Sequence, residues 1–358
     1  MSGLRDKIGQ MLMVGLTAED LTPDEKTVLA EYPIGNFIFF SRNLREPDRV
    51  VSLCRTLWHL REEPPFIAID HEGGRVHRLP EPFTHFPAAS VLGGMGKPEP
   101  AYAMGAAMGR ELSAAGINLN FAPVLDVLSN PENPVIGDRS LGADPRKVSR
   151  LGWEIVRGLK DSGVIPCGKH FPGHGDTEKD SHLELPVVRK NRGELDACEL
   201  RPFVHACENE IDSLMTAHVL YPALDPDLPA TLSRSIIGDL LRGEMAYGGV
   251  VFSDDLEMRA ITDSYSAEEA SALAVDAGVD VLMFCHHAEN AARAFEFLCR
   301  KAEREERSRV RIEESSVRIA RLKWSYLKSF TGTSGEQFRK SADLENHKKL
   351  AAAIQGSL

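Results

Sequence analysis

Eight short apolar runs punctuate the chain, each separated from the next by a stretch of helical character. They are Met11–Val14, Asn36–Phe40, Phe66–Ile69, Ile117–Phe121, Val164–Cys167, Ser213–Thr216, Gly249–Phe252 and Val279–Phe284. None alternates polar with apolar residues, so each suits a strand covered on both faces, as in a parallel sheet. Between them lie helix signals. Thr22-Pro23-Asp24-Glu25 offers an N-cap, a first-turn Pro and a capping-box Glu, and Ser266 with Glu269 repeats the box. Asp144-Pro145 opens a helix whose Val148, Leu151, Ile155 and Leu159 share one face.

Eight strands alternating with helices predict an α/β fold, a (β/α)8 TIM-like barrel. A doubly wound sheet is the competing arrangement. Against it, no Gly-x-Gly-x-x-Gly follows the first run, and Gly96-Lys97 is followed by Pro98. Neither a dinucleotide fingerprint nor a phosphate-binding P-loop is therefore present. Two more helical stretches, about 287–303 and 307–328, follow the last run. The expectation is one catalytic domain over residues 1–328, with these extra C-terminal helices, and a loosely attached tail over 329–358.

Charge and composition exclude several classes of function. Lys plus Arg number 42 against 53 Asp plus Glu, a net charge of −11, which speaks against nucleic acid as a partner. No window approaches the roughly 18 apolar residues of a membrane span, and no basic amphipathic stretch suits a membrane surface. The N-terminus does not read as a signal peptide, and the six scattered cysteines read as reduced core thiols. A cytoplasmic monomer is expected.

Polar residues gather where the strands end, the functional face of such a barrel. The third run leads into Asp70-His71-Glu72-Gly73-Gly74-Arg75-Val76-His77-Arg78, the fourth toward Asn120 and Asp126, and the fifth into Lys169-His170. The sixth ends at His218 and the seventh at Ser253-Asp254-Asp255. One such cluster is explained by a cap or an ion pair; five at corresponding ends point to a site. Glu72 and Arg75 read as braces of their loop, His218 as structural or pocket-lining, and Asp126 as structural or a sugar contact. After His170, Pro172, Gly173 and Gly175 rule out a helix, so Phe171–His182 is a long loop expected to be more mobile than the barrel. His170 and His174 have metal-ligand spacing only on a helix, which Pro172 and Gly173 forbid.

The string Lys169-His170-Phe171-Pro172-Gly173-His174-Gly175, with Asp180-Ser181-His182 beyond it, carries a family resemblance. Together with Asp70–Arg78 upstream and Val250–Met258 downstream, it resembles glycoside hydrolase family 3, and within it the single-domain bacterial β-N-acetylglucosaminidases of cell-wall recycling. The motifs stand in the family's order over about residues 8–300. The resemblance implies a barrel that retains anomeric configuration and needs no metal or cofactor. It casts Asp254 as nucleophile, His182 as general acid/base and Asp180 as the carboxylate orienting that imidazole. Asp70, Arg78, Arg139, Lys169 and His170 match sugar-binding positions. The implied substrate is a small sugar, a GlcNAc-containing disaccharide or muropeptide. Leu141 stands where an aromatic residue is common in the family.

These roles are chemically coherent. A retaining glycosidase needs a nucleophile on one face of the sugar and an acid/base on the other. An imidazole titrating near 6.5 can serve as acid and base near neutrality. Two other functions remain open from sequence: a phosphorolytic enzyme using the same site, and a non-catalytic sugar-binding barrel. The joint presence of Asp254, Asp180 and His182 argues against the latter.

Overall fold

The computed structural model describes residues 3–177 and 184–357. Eight parallel strands close into one barrel in chain order: β1 (Leu12–Gly15), β2 (Asn36–Phe39), β3 (Phe66–Ile69), β4 (Leu119–Asn120), β5 (Ile165–Phe171), β6 (Ser213–Thr216), β7 (Val250–Asp255) and β8 (Val281–Phe284). The ring closes where β8 pairs with β1, Leu282 opposite Leu12. With helices outside and packed side chains inside, every strand is buried on both faces, which is why the apolar runs do not alternate. Phe66, Phe121 and Phe252 meet edge to face inside the ring, with centroids 5.9 and 5.5 Å apart.

Two strands run further than their apolar runs. β5 continues through Lys169 and His170, and β7 through Asp254 and Asp255. Backbone pairing persists there: the Lys169 N–H donates to the Pro123 carbonyl (3.1 Å), and the Leu256 N–H to Met283 (3.0 Å). Ladder bonds are indifferent to side-chain polarity, so polar residues can ride on strand ends that a hydropathy pattern stops short of. β4 is the reverse case, reduced to two residues before Pro123, which has no N–H to give. The Asn120 side chain compensates, accepting the His71 N–H (3.0 Å) and donating to the His71 carbonyl (2.9 Å).

The helix signals act as expected. Thr22 and Glu25 cap each other's backbone, as do Ser266 and Glu269. Asp144 accepts the Arg146 N–H at 2.9 Å and opens the helix Pro145–Asp161, whose Val148, Leu151, Ile155 and Leu159 are all buried. Helices Ala288–Arg304 and Glu306–Tyr326 follow β8.

The end of the chain departs from the expected loose tail. Gly335–Ala342 and Leu344–Gln355 are helices. Phe338 is buried edge-on against Phe83, and buried His347 meets the carboxylate of buried Glu111 at 3.0 Å. The Gly, Ser and Lys residues that suggested a tail occupy its turns and outer faces, while a few apolar residues at helical spacing anchor it. Among the described residues no helix is long and apolar enough to cross a membrane, and all six cysteines are unpaired.

Candidate active site

The C-terminal ends of the strands surround a cavity of about 470 Å³. Asp70, Arg78, Arg139, Lys169, His170 and Asp254, predicted from four separate segments, all line it. His182 and Asp180, the expected acid/base and its orienting carboxylate, lie outside the described residues.

The cavity is organised around a buried ion network. Lys169, on β5 and 2% exposed, places its Nζ 2.6 Å from Asp70 Oδ1 and 2.6 Å from Glu72 Oε1. Glu72 in turn receives Arg139 through Nε (2.8 Å) and Nη2 (2.9 Å), a two-point fork. Burial alone raises a carboxyl's pKa, but Arg139 and Lys169 outweigh it and hold Glu72 well below the usual carboxylate range. Burial likewise opposes the charge on Lys169, and the charges of Asp70 and Glu72 overcome it, so the ammonium is held protonated.

His170 is fixed from behind. Asp126, fully buried, faces His170 Nδ1 at 2.7 Å and accepts the backbone N–H groups of His170 (3.1 Å) and His174 (2.7 Å). With Nδ1–H donating to Asp126, Nε2 is turned toward Arg139 Nη2 at 3.5 Å. Asp126 is thus an anchor beneath the site rather than part of its lining.

Asp254 sits on β7 across from this network. Burial pushes its carboxyl upward in pKa, but the charges of His218, His170 and Lys169 and the Asp255 N–H, which donates to Oδ1 at 2.8 Å, bring it below the ordinary value. It is therefore ionised at neutral pH. Asp255 differs sharply: its Oδ1 accepts the N–H groups of Glu257 (3.1 Å) and Cys285 (3.2 Å), and burial pushes it up to about 7. Both carboxylates line the cavity, but their pKa shifts are opposed, and Asp255 also braces the loop through the two N–H groups it accepts. His218 bonds through Nδ1 to Thr231 Oγ1 (2.7 Å) and through Nε2 to the Asp255 carbonyl (2.9 Å).

The described part of the loop after β5 is hydrogen-bonded to its neighbours. Tyr221 donates to the Gly173 carbonyl (2.5 Å), and Asn133 to the His174 carbonyl (2.9 Å) and Thr177 Oγ1 (3.1 Å). Gly173 has φ +130°, and a Cβ at Gly175 would stand 1.6 Å from the Val127 carbonyl oxygen. Residues 178–183 of this loop lie outside the described residues.

Several lining residues escaped the sequence reading. Glu72 and Arg75 were read only as braces; Arg75 does brace, binding Asp138 (3.0 Å), yet both also line the cavity, and Glu72 is the hub of its charges. Ile38, Met215 and Met283 form apolar lining, and each lies on a strand whose register could have revealed it. Phe40 and His286 stack at the rim with centroids 6.2 Å apart. No group of three or more His, Cys, Asp or Glu among the described residues is arranged to hold a metal.

A closed (β/α)8 barrel with an ionised Asp and a buried ion network at its C-terminal mouth has the architecture of a barrel hydrolase acting on a polar substrate. Residues 3–322 match the N-terminal domain of glycosyl hydrolase family 3. The chain belongs to that family and is a glycoside hydrolase. A β-hexosaminidase from Alkalilimnicola ehrlichii is 43% identical over 284 residues, 78% of this chain and 81% of the relative. One from Neisseria meningitidis is 35% identical over 351 residues, 96% and 93% of the two chains. Among solved structures, a family 3 β-N-acetylglucosaminidase from Paenibacillus superposes with a TM-score of 0.91 at 40% identity, covering 99% of this chain and 68% of that one. NagZ from Neisseria gonorrhoeae, solved with N-trifluoroacetyl-D-glucosamine, gives 0.78 at 32% identity over 97% of both.

Proposed function

We propose that this glycoside hydrolase is a retaining exo-β-N-acetylhexosaminidase that removes terminal GlcNAc from peptidoglycan-derived disaccharides and muropeptides. The observation that carries the reading is Asp254, an ionised carboxylate at the end of β7 facing a cavity with Asp70, Lys169, Glu72 and Arg139 on its other wall. Asp254 attacks the anomeric carbon, and the bond to the leaving oxygen breaks as His182, oriented by Asp180, protonates it. His182 then takes a proton from water, which attacks the glycosyl-Asp254 ester and frees the sugar with retained configuration. Asp70, Arg78, Arg139, Lys169 and His170 position the sugar hydroxyls. Supporting the N-acetyl preference are the two β-hexosaminidases and the Paenibacillus β-N-acetylglucosaminidase that the chain resembles. Unpaired cysteines throughout support a reducing compartment, the cytoplasm.

The test is trapping with a slow-release 5-fluoro-GlcNAc donor and mapping the label by mass spectrometry. A single adduct on Asp254, absent in Asp254→Ala, is expected. A label on Asp255, or turnover surviving in Asp254→Ala, refutes the assignment.

A further inference from the structure

At the other end of the barrel, beneath the N-terminal ends of β7 and β8, a second cavity of about 380 Å³ is walled by Arg234, Arg242, Arg307, Arg311 and Arg318. Three of these converge on one carboxylate. Asp280, fully buried just before β8, receives Arg242 Nη2 (2.5 Å), Arg311 Nη2 (2.9 Å) and Arg318 Nη1 (3.2 Å), while its Oδ2 also accepts the Val251 N–H (3.0 Å). The remaining anions do not balance the cluster. Glu314 is half exposed and stands 3.7 and 3.8 Å from Arg311 and Arg318, and Asp276 is already paired with Lys301 at 3.1 Å. Arg234 and Arg307 are exposed at the rim, with no ion pair among the described residues. Arg242 Nε is buried and has no hydrogen-bond partner there.

Positive charge is thus concentrated in one pocket of a chain whose net charge is −11. Crowded guanidiniums repel one another most where water is scarce, and burial together with Arg318 and Arg311 lowers the Arg242 pKa in spite of Asp280. A multiply charged ligand anion relieves that repulsion. Arg242, Arg311 and Arg318 already donate to Asp280 and, for the first two, to main-chain carbonyls, so they supply field. Arg234 and Arg307, from two different helices, offer guanidinium forks that match the separate terminal oxygens of a tetrahedral oxyanion. We propose that this cavity is a second ligand site, for a small phosphate-bearing anion. It is separate from the sugar cavity because the same strand, β7, has the arginines at its start and Asp254 at its end.

Calorimetric titration of the full chain with inorganic phosphate and with pyrophosphate tests this at near-physiological ionic strength. Saturable one-to-one binding that weakens with added salt is expected. Equal affinity for both anions identifies one phosphoryl group as the recognised unit; preference for pyrophosphate identifies two. Arg234→Gln and Arg307→Gln, which break no ion pair among the described residues and leave the ligand-free melting temperature unchanged, should each weaken binding about ten-fold. Arg309→Gln, on the same helix but outside the cavity lining, should not. Absence of saturable binding of either anion, binding indifferent to both substitutions, or displacement by saturating N-acetylglucosamine overturns the proposal. The titration requires no turnover, so its outcome is independent of the glycosidase reading.

Discussion

Replacing Asp255 by Asn should stabilise the protein, and increasingly so as pH rises. Asp255 is nine-tenths buried beside Asp254 and Glu257, and burial, reinforced by those two negative charges, pushes its carboxyl up to about 7. The sign follows from linkage. An unfolded Asp ionises near 3.9, so between about 3.9 and 7 the unfolded chain has lost the proton while the folded one keeps it, and stability falls as pH rises. Above about 7 both states are ionised and the deficit stays constant, at most about 4 kcal/mol. Between pH 5 and 8 the wild type loses about 3 kcal/mol of this, which Asn, having no proton to lose, does not. For 358 residues at roughly 2.1 cal/mol/K each, that is about 4 °C in melting temperature. Asn keeps an acceptor for the N–H groups of Glu257 and Cys285, and the N–H that holds Asp254 is main chain, so the bracing survives. Calorimetric melts of both proteins across this range, at constant ionic strength, isolate the effect because every other titrating group is common to both. A difference in melting temperature that does not change between pH 5 and 8 would refute the reasoning.

Glu72→Ala leaves Arg139 without its buried carboxylate and should cost about 3–5 kcal/mol, seen as a fall of roughly 4–7 °C in melting temperature, with loss of sugar binding. In the wild type Glu72 is held low, so its contribution is full above its unfolded value near 4.3 and drains away only as pH falls below it; acid melts should show the variant and wild type converging there. Gly175→Ala drives a Cβ into the Val127 carbonyl and should sharply lower kcat on a disaccharide while circular dichroism stays native. His182→Ala should lose roughly 10²–10⁴-fold on a disaccharide but far less in single-turnover glycosylation from a dinitrophenyl glycoside, whose leaving group needs no proton; equal losses on both substrates would remove His182 from the mechanism.

The barrel was legible because its period is robust. Eight uninterrupted apolar runs admit few arrangements once the phosphate and dinucleotide signatures are missing, and Ser213–Thr216 and Phe66–Ile69 coincide with β6 and β3 residue for residue. What hydropathy could not show was where pairing outlasts apolarity. Lys169, His170 and Asp254 lie past the apolar runs Val164–Cys167 and Gly249–Phe252, at the ends of their strands, and main-chain bonds that leave no trace in side-chain composition carry β5 and β7 through them. The C-terminal helices were missed for a related reason: Phe338, His347 and Ile354 are too sparse to read as a packed face until Glu111 and Phe83, more than two hundred residues earlier, are seen to receive them.

Within the site, which residues gather was legible, but how they share their bonds was not. Asp70 and Lys169 are 99 positions apart, Glu72 and Arg139 67, and no spacing rule joins them. The pairing changes what each can do for a sugar. An ammonium has three N–H donors, and Lys169 commits two of them to Asp70 and Glu72. Arg139 commits Nε and Nη2 to Glu72 and one Nη1 hydrogen to the Val135 carbonyl at 3.2 Å. Each cation thus keeps at least one N–H for a hydroxyl, and Asp70 Oδ2, which takes no part in the Lys169 bond, retains its acceptor capacity. On the proposed reading, Asp70 then meets the sugar through Oδ2, oriented by Lys169, while Arg139 and Lys169 hold Glu72 charged at the cavity wall. Glu72 is the member that makes this work: without a second carboxylate the two cations would crowd a single Asp, and Asp70 would face the network instead of the ligand.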